Sequence, residues 1–323
     1  MNVPLKKLLL KPELGVFIAL ILLITIFSLI SPYFLTGLTW GGIITSATEI
    51  GIIALGATIL MSAGEFDLSV GSNFAFSGMV FALATVNYEW SPIIGLALAL
   101  GVGASIGFLN ALITIGLGIP SFIATLGSML LWRGVVLVIS DGFPISVIVQ
   151  DGLGKFLTYE LVLGFKSSAF IWLLIASMCA YMLKHHPWGN SILATGGNKN
   201  ASFAMGVPTK KVKYFSFVFI GLLAGLAGVI QFEHLGSLSP TAGEQYELNA
   251  IAIAVIGGTL LTGGVGSIWG CLWGTLVMGV LASGLVQSGV STYWFRSFVG
   301  LILVLAVVFN QKLRLKLQER VTS

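Results

Sequence analysis

Apolar runs close to twenty residues long recur from one end of this chain to the other, and they constrain its fold more than any motif does. An α-helix needs a run of that length to cross a hydrocarbon layer of roughly 30 Å. Read against charges and Pro/Gly breaks, the chain gives about ten such spans, near 14–30, 41–62, 68–86, 92–115, 121–140, 168–183, 214–232, 248–263, 267–287 and 294–310. Composition closes off the alternatives. Charged side chains make up 9% of 323 residues, whereas a soluble domain carries roughly 25%, so this chain cannot clothe a water-exposed surface of its size. The alternating segments of a transmembrane barrel are absent from the sequence. The expected fold class is an all-α polytopic membrane protein, organised as one transmembrane domain over 1–323.

The basic residues set the expected orientation. Lys6, Lys7 and Lys11 precede the first span, and Lys184, Lys199, Lys210, Lys211 and Lys213 fall in the loop after the sixth. Lys312, Arg314, Lys316 and Arg320 close the chain, so twelve of the sixteen basic residues share one side. By the positive-inside rule both termini are expected in the cytoplasm, which an even number of spans satisfies. The net charge of +4 is then a topology signal; membrane lipid is the expected partner and nucleic acid is not. The first apolar run reads as a retained span, because it is long for a leader core and Ser31-Pro32-Tyr33 makes a poor cleavage site. Cys179 and Cys271 lie inside apolar runs and suggest neither a disulfide framework nor a metal site.

Many of the 41 glycines stand four apart, among them Gly103 and Gly107, Gly221 and Gly225, and Gly266, Gly270 and Gly274. Small residues at that spacing let membrane helices approach closely. A faint internal echo relates "GATILMSAGEFDLSVG" (56–71) to "GGTLLTGGVGSIWG" (257–270), each reading as a helix end, a Gly-rich break and a new helix start. Enzyme chemistry is missing. No serine or cysteine nucleophile comes with a plausible histidine and carboxylate set, and no phosphate-binding GxxxxGK[ST] loop occurs. The chain is expected to be no enzyme and to bind no metal or cofactor itself.

Residues 184–213 form the one sizeable cytoplasmic loop. Within it "GGNKNASFAMGV" reads as a short helix, with Asn198 as N-cap, Ala201 to Met205 continuing it and Gly206 before Val207-Pro208 stopping it. This loop resembles the coupling segment of ABC-importer permeases, in which an alanine-rich helix ending in glycine fits a groove on the ATPase subunit. "DLSVGS" (67–72), "PSFIATLGSMLLWRG" (120–134) and "YELNAIAIAVIGGTLLTGGVGSIWG" (246–270) resemble the subfamily serving ribose, xylose, galactose and the autoinducer-2 signal. The resemblance runs from about residue 15 to 310.

It implies a multi-pass permease of the bacterial plasma (inner) membrane, paired with a second permease copy or a paralogue. It also implies cytoplasmic ABC ATPase subunits, which carry the ATP and Mg, and a periplasmic or extracellular solute-binding protein. The cargo would be a small polar solute, a monosaccharide or related polyol. Gly197, Asn198, Ala201, Met205 and Gly206 would form the ATPase-coupling surface. Two departures are visible: Gly64-Glu65-Phe66 stands where the family usually reads Gly-Gly-Ile/Val, and Lys199-Asn200 stands where acidic residues are common.

"GEFDLSVGSN" (64–73) places Glu65 and Asp67 two residues apart between apolar stretches, and three readings of it stand open. Asp67 caps the next helix through the Ser69 and Val70 amides. Alternatively the segment is a break buried in protein, where the acids with Ser69, Ser72 and Asn73 meet solute hydroxyls or a cation such as Arg133. Thirdly, the acids, or Glu49, carry protons or sodium for a secondary transporter of similar solutes. Glu49 and Arg133 both lie within spans and could pair across helices. Glu233, Glu244 and Glu247 bracket an external loop, and Glu244 and Glu247 are candidates for docking a binding protein.

Overall fold

The computed structural model describes residues 12–147, 152–162, 164–291, 293–305 and 308. Lys6, Lys7, Lys11, Lys312, Arg314, Lys316 and Arg320 lie outside the described residues, as does the end of the span expected at 294–310. Long helices dominate: α1 (Pro12–Ile30), α2 (Gly37–Ser62), α3 (Val70–Ala82), α4 (Pro92–Ala111), α5 (Ser121–Ile139), α7 (Ser167–His185), α10 (Thr209–Leu235) and α12 (Ile268–Gln287). Wider π-turns extend α3 through Leu83–Asn87 and α4 through Leu112–Gly116. With those turns included, eight helices are long and apolar enough to cross a membrane, and two shorter apolar ones follow, α11 (Tyr246–Ile256) and α13 (Trp294–Leu305). Short helices α6 (Leu153–Thr158), α8 (Pro187–Gly197) and α9 (Lys199–Ala204) lie in the connections.

The helices sort into an inner and an outer set by which residues they hide. Along α2 every residue from Ala47 to Ser62 except Ile50 is buried, and α10 packs beside it through Phe217, Ile220, Ala224 and Phe232. On α1, α5 and α7, by contrast, Ile18, Leu29, Phe122, Leu130, Phe170 and Leu174 stand exposed. A soluble surface would not carry so much contiguous apolar area; beside lipid tails it costs nothing, because the solvent is as apolar as the side chain. Glycine brings the inner helices together as the spacing suggests. A Cβ at Gly103 would sit 2.5 Å from the Gly221 carbonyl oxygen, and one at Gly225 2.8 Å from that of Ala99, so α4 and α10 touch backbone to backbone. Asn73 of α3 ties the crossing by donating from Nδ2 to Gly103 O (3.1 Å) and Gly221 O (3.3 Å).

Connections gather at the two ends of the bundle. At one end the Ser62 carbonyl accepts from the Gly264 amide (3.0 Å), Ser121 Oγ accepts from the Phe66 amide (3.3 Å) and Ser267 Oγ donates to Glu13 (2.5 Å). At the other, Ser31 Oγ donates to Gln287 (2.9 Å), and the two-residue strands β1 (Ile145–Ser146) and β4 (Ser237–Leu238) pair antiparallel. Between them in sequence, β2 (Glu160–Val162) pairs with β3 (Phe165–Lys166).

Two connections differ from expectation. The apolar stretch 248–263 is not one helix: α11 ends at Ile256, where Gly257 meets Gly270, and Gly258 (φ +95°), Gly263 (φ +81°) and Gly264 (φ +79°) turn the chain through an irregular stretch to α12. Positive φ is cheap only for glycine, and it ends the hydrogen-bond ladder despite the apolar composition. The loop 184–213 holds two helices rather than one, because Pro187 starts α8 with His186 as its cap.

Candidate translocation and coupling site

Helix α2 stops at Ser62 and α3 starts at Val70, so residues 63–69 form a break walled in by protein. Irregular backbone at such a place needs partners for its amides, and the sequence supplies them from nearby. Asp67, only 5% exposed, accepts on Oδ1 from the Ser69 amide (2.7 Å) and the Ser69 hydroxyl (2.6 Å). Asn110 of α4 donates to Asp67 Oδ2 (3.3 Å) and to Ser69 Oγ (2.8 Å). The Leu68 amide donates to Thr125 Oγ1 (3.0 Å) on α5. Ser72 Oγ turns back to the Ser69 carbonyl (2.8 Å), and Asn73 is engaged at the α4–α10 crossing. These side chains are committed to holding the helix restart. Each bond lost there would leave a buried group unpaired, at about 1–3 kcal/mol. Of the cap reading, the Ser69 amide bond is present, while a bond to Val70 is not among those formed.

Glu65 meets a lysine rather than Arg133: Lys213 Nζ of α10 pairs with Glu65 Oε1. Arg133 points to the connection 236–245, donating from Nη1 to Pro240 O (2.8 Å) and Ala242 O (2.9 Å). That connection begins at the β1–β4 end but then returns into the bundle. A Cβ at Gly243 would lie 2.7 Å from the Gly71 carbonyl oxygen, and the Tyr246 and Phe74 rings are 5.1 Å apart. The Glu247 carboxylate consequently reaches the first turn of α3 at Gly71, while Glu244 remains exposed. Two residues expected together on an outer rim therefore part company.

Glu49 does not pair with Arg133. It accepts from Gln231 Nε2 (2.9 Å) and lies 3.0 Å from His234 Nδ1, and His234 Nε2 is 2.7 Å from Ser168 Oγ. Gln231 also donates to the Tyr246 hydroxyl (3.3 Å). Sequence reading found no serine, histidine and carboxylate set, yet the fold assembles one from α2, α7 and α10. Ser168 is wholly buried among packed helices, so the arrangement offers no substrate access and ties four helices together. Its members lie far apart in sequence, and only the fold reveals them. Among the described residues no cluster of three or more histidines, cysteines or carboxylates could hold a metal.

In the loop after α7, Asn198 Oδ1 accepts from the Ala201 amide (3.0 Å) as an N-cap, and Gly206 (φ +83°) ends the turn after α9. Ala201, Met205, Gly206 and Gly197 are all exposed, and so is Phe203, which the sequence reading passed over. Phe203 on six-residue α9 is 71% exposed and Met205 just after it 84%, in a setting otherwise fringed by Lys199, Lys210 and Lys211. Together they make an exposed apolar knob in a polar, basic setting.

The family described as "Branched-chain amino acid transport system / permease component" matches residues 39–307. The ribose import permease protein RbsC of Escherichia coli (strain K12) is 38% identical over 297 residues, covering 91% of this chain and 92% of that protein. The D-allose transport system permease protein AlsC of the same strain is 34% identical over 301 residues, covering 92% and 91%. The inner membrane ABC transporter permease protein YjfF, also from that strain, is 33% identical over 285 residues, covering 87% and 86%. No solved structure matches the chain.

Proposed function

The chain belongs to the family of branched-chain amino acid transport system permease components, and from that premise we propose that it is the membrane subunit of an ATP-driven importer for a monosaccharide or related polyol. The substrate class follows the relatives, whose names specify ribose and allose, rather than the amino acids in the family description. The chain sits in the bacterial inner membrane, with ATP hydrolysed on separate ABC ATPase subunits and solute delivered by a binding protein. With both termini in the cytoplasm, 63–69, α8, α9 and 257–267 lie at the cytoplasmic end. A second permease copy completes the pathway.

The observation that carries the reading is α9: capped by Asn198, stopped by Gly206, and presenting Phe203 and Met205 outward at the end where the two breaks meet. Arg133 and Glu247, half-buried beside the returning connection, are the polar contacts proposed for solute hydroxyls in passage; Glu244 faces the binding protein. Weak contacts suffice here, since a tight site would trap the solute. The carboxylates that proton coupling would need are already engaged, Glu49 with Gln231 and His234, Asp67 with Ser69 and Asn110, and Glu65 with Lys213.

Co-purification in mild detergent with the ATPase subunit tests the assignment. Wild type should retain the ATPase. Ala201→Trp and Phe203→Asp should lose about tenfold or more in affinity with folding intact, because the first sets a bulky ring against the knob's seat and the second removes an exposed apolar anchor from it. Equal retention by all three proteins would move the coupling surface elsewhere.

A further inference from the structure

The loop that carries α9 touches the first helix break on both sides of that helix. Before α9, Gly196 lies against the break: a Cβ there would be 2.7 Å from the Gly264 nitrogen and would collide with the Ser62 carbonyl, and Gly64 approaches it from the facing strand of backbone. After α9, Lys213 pairs with Glu65. Gly206 and Pro208 separate α9 from α10, and Lys213 stands one turn inside α10, so the lysine moves with the helix that follows the knob.

The pair is well shielded, with the lysine side chain 9% and the glutamate side chain 13% exposed. Charges held away from water attract strongly and are costly to leave alone, so such a pair resists parting when one partner shifts. Glu65 itself is two residues before Asp67, whose carboxylate holds Ser69 and Asn110 at the restart of α3. Gly71, in the first turn of that helix, is what Glu247 touches. Chain connectivity and contacts together thus lead from the exposed knob along the backbone to Lys213, across the ion pair to Glu65, two residues on to Asp67 and Ser69, and from Gly71 to the returning connection that Arg133 holds.

We propose that Glu65 and Lys213 are positioning residues for translocation: their ion pair transmits displacement of α9 to the 63–69 break and so to the solute path. This rests on the importer reading. The pair does not touch solute; it acts through Asp67 and the start of α3.

Proteoliposomes holding the permease, its ATPase and its binding protein, with radiolabelled D-ribose as the probe, give the test as uptake per ATP hydrolysed. Glu65→Gln and Lys213→Gln should keep the ATPase bound and hydrolysing within about twofold of wild type, while uptake per ATP falls about tenfold or more. The exchanged pair E65K/K213E should recover most of that loss. E65D keeps the charge but shortens the arm by one methylene, and it should also lower the ratio, which keeps the test open if a neutral variant folds poorly. A purely structural pair would lower yield and melting temperature and leave uptake per ATP unchanged; that result, or an exchanged pair no better than the worse single variant, overturns the proposal. A wild type that holds no ATPase overturns the importer reading itself.

Discussion

Gly221→Val is expected to leave almost no folded protein. The α4–α10 crossing has no room for a side chain: a Cβ at Gly221 collides with the Gly103 carbonyl, and its nearest other atoms, in Gly107, are 3.1 Å away. All of these are backbone, so no rotamer change relieves the clash, and the helices must separate. Separation breaks both Asn73 bonds, to Gly103 and Gly221, which hold α3 to the same crossing. Overpacking a tight core costs about 1–3 kcal/mol, more where backbone must move, and two buried bonds lost add about 1–3 kcal/mol each. Folded domains hold about 5–15 kcal/mol in total, so the variant spends most of it. Gly101→Val on α4, the other helix of the crossing, is the control, because nothing lies within 4 Å of a Cβ there. Fluorescence-detected size exclusion of the solubilised proteins should show a monodisperse peak for wild type and Gly101→Val and none for Gly221→Val; a normal peak for Gly221→Val would show that the crossing is looser than described.

Gly196→Val should abolish uptake without removing ATPase binding. Here the added carbons meet the Ser62 carbonyl and the Gly264 nitrogen at once, on the two sides of the bond from the Gly264 amide to Ser62 O. Both helix breaks are joined by that bond, and α8 seats upon it. Forcing α8 away leaves the exposed surface of α9 unaltered while parting it from the segment it is proposed to move. The neighbouring Gly197→Ala is the contrast, since its Cβ would make an ordinary contact at 3.8 Å with Gly264 Cα. Ribose uptake in a strain lacking its own permease should fall about tenfold or more for Gly196→Val and stay near wild type for Gly197→Ala. Equal uptake by both would mean that the contact between α8 and the breaks carries no coupling.

What could be read from sequence divides by range. The polytopic helical class followed from apolar runs and scarce charge, and the Asn198 cap and the Gly206 stop of α9 followed from local residue chemistry. The close pairing of Gly103 and Gly107 with Gly221 and Gly225 was visible as spacing, although not which helices would meet. Longer-range partners were hidden. Lys213 is 148 positions from Glu65, and Glu49 is 185 positions from His234; no local pattern joins them. Glu244 and Glu247 looked alike as neighbouring loop acids, yet one is exposed and the other reaches Gly71 because the connection 236–245 folds back into the bundle. The stretch 248–263 looked like a span by hydropathy alone, and its glycines outweighed its apolar content. Phe203 gives no signal in the sequence, because one apolar residue in a chain this apolar stands out only once its exposure is known.

The role of membrane subunit in an ATP-driven sugar importer is tested most directly by uptake of labelled D-ribose into proteoliposomes that contain this permease, its ATPase and its binding protein. Accumulation that requires ATP and the binding protein, and that persists when a protonophore collapses the proton gradient, is the predicted result. Accumulation that proceeds without the ATPase and stops with the protonophore would contradict the account and return Glu65, Asp67 and Glu49 to the role of proton carriers.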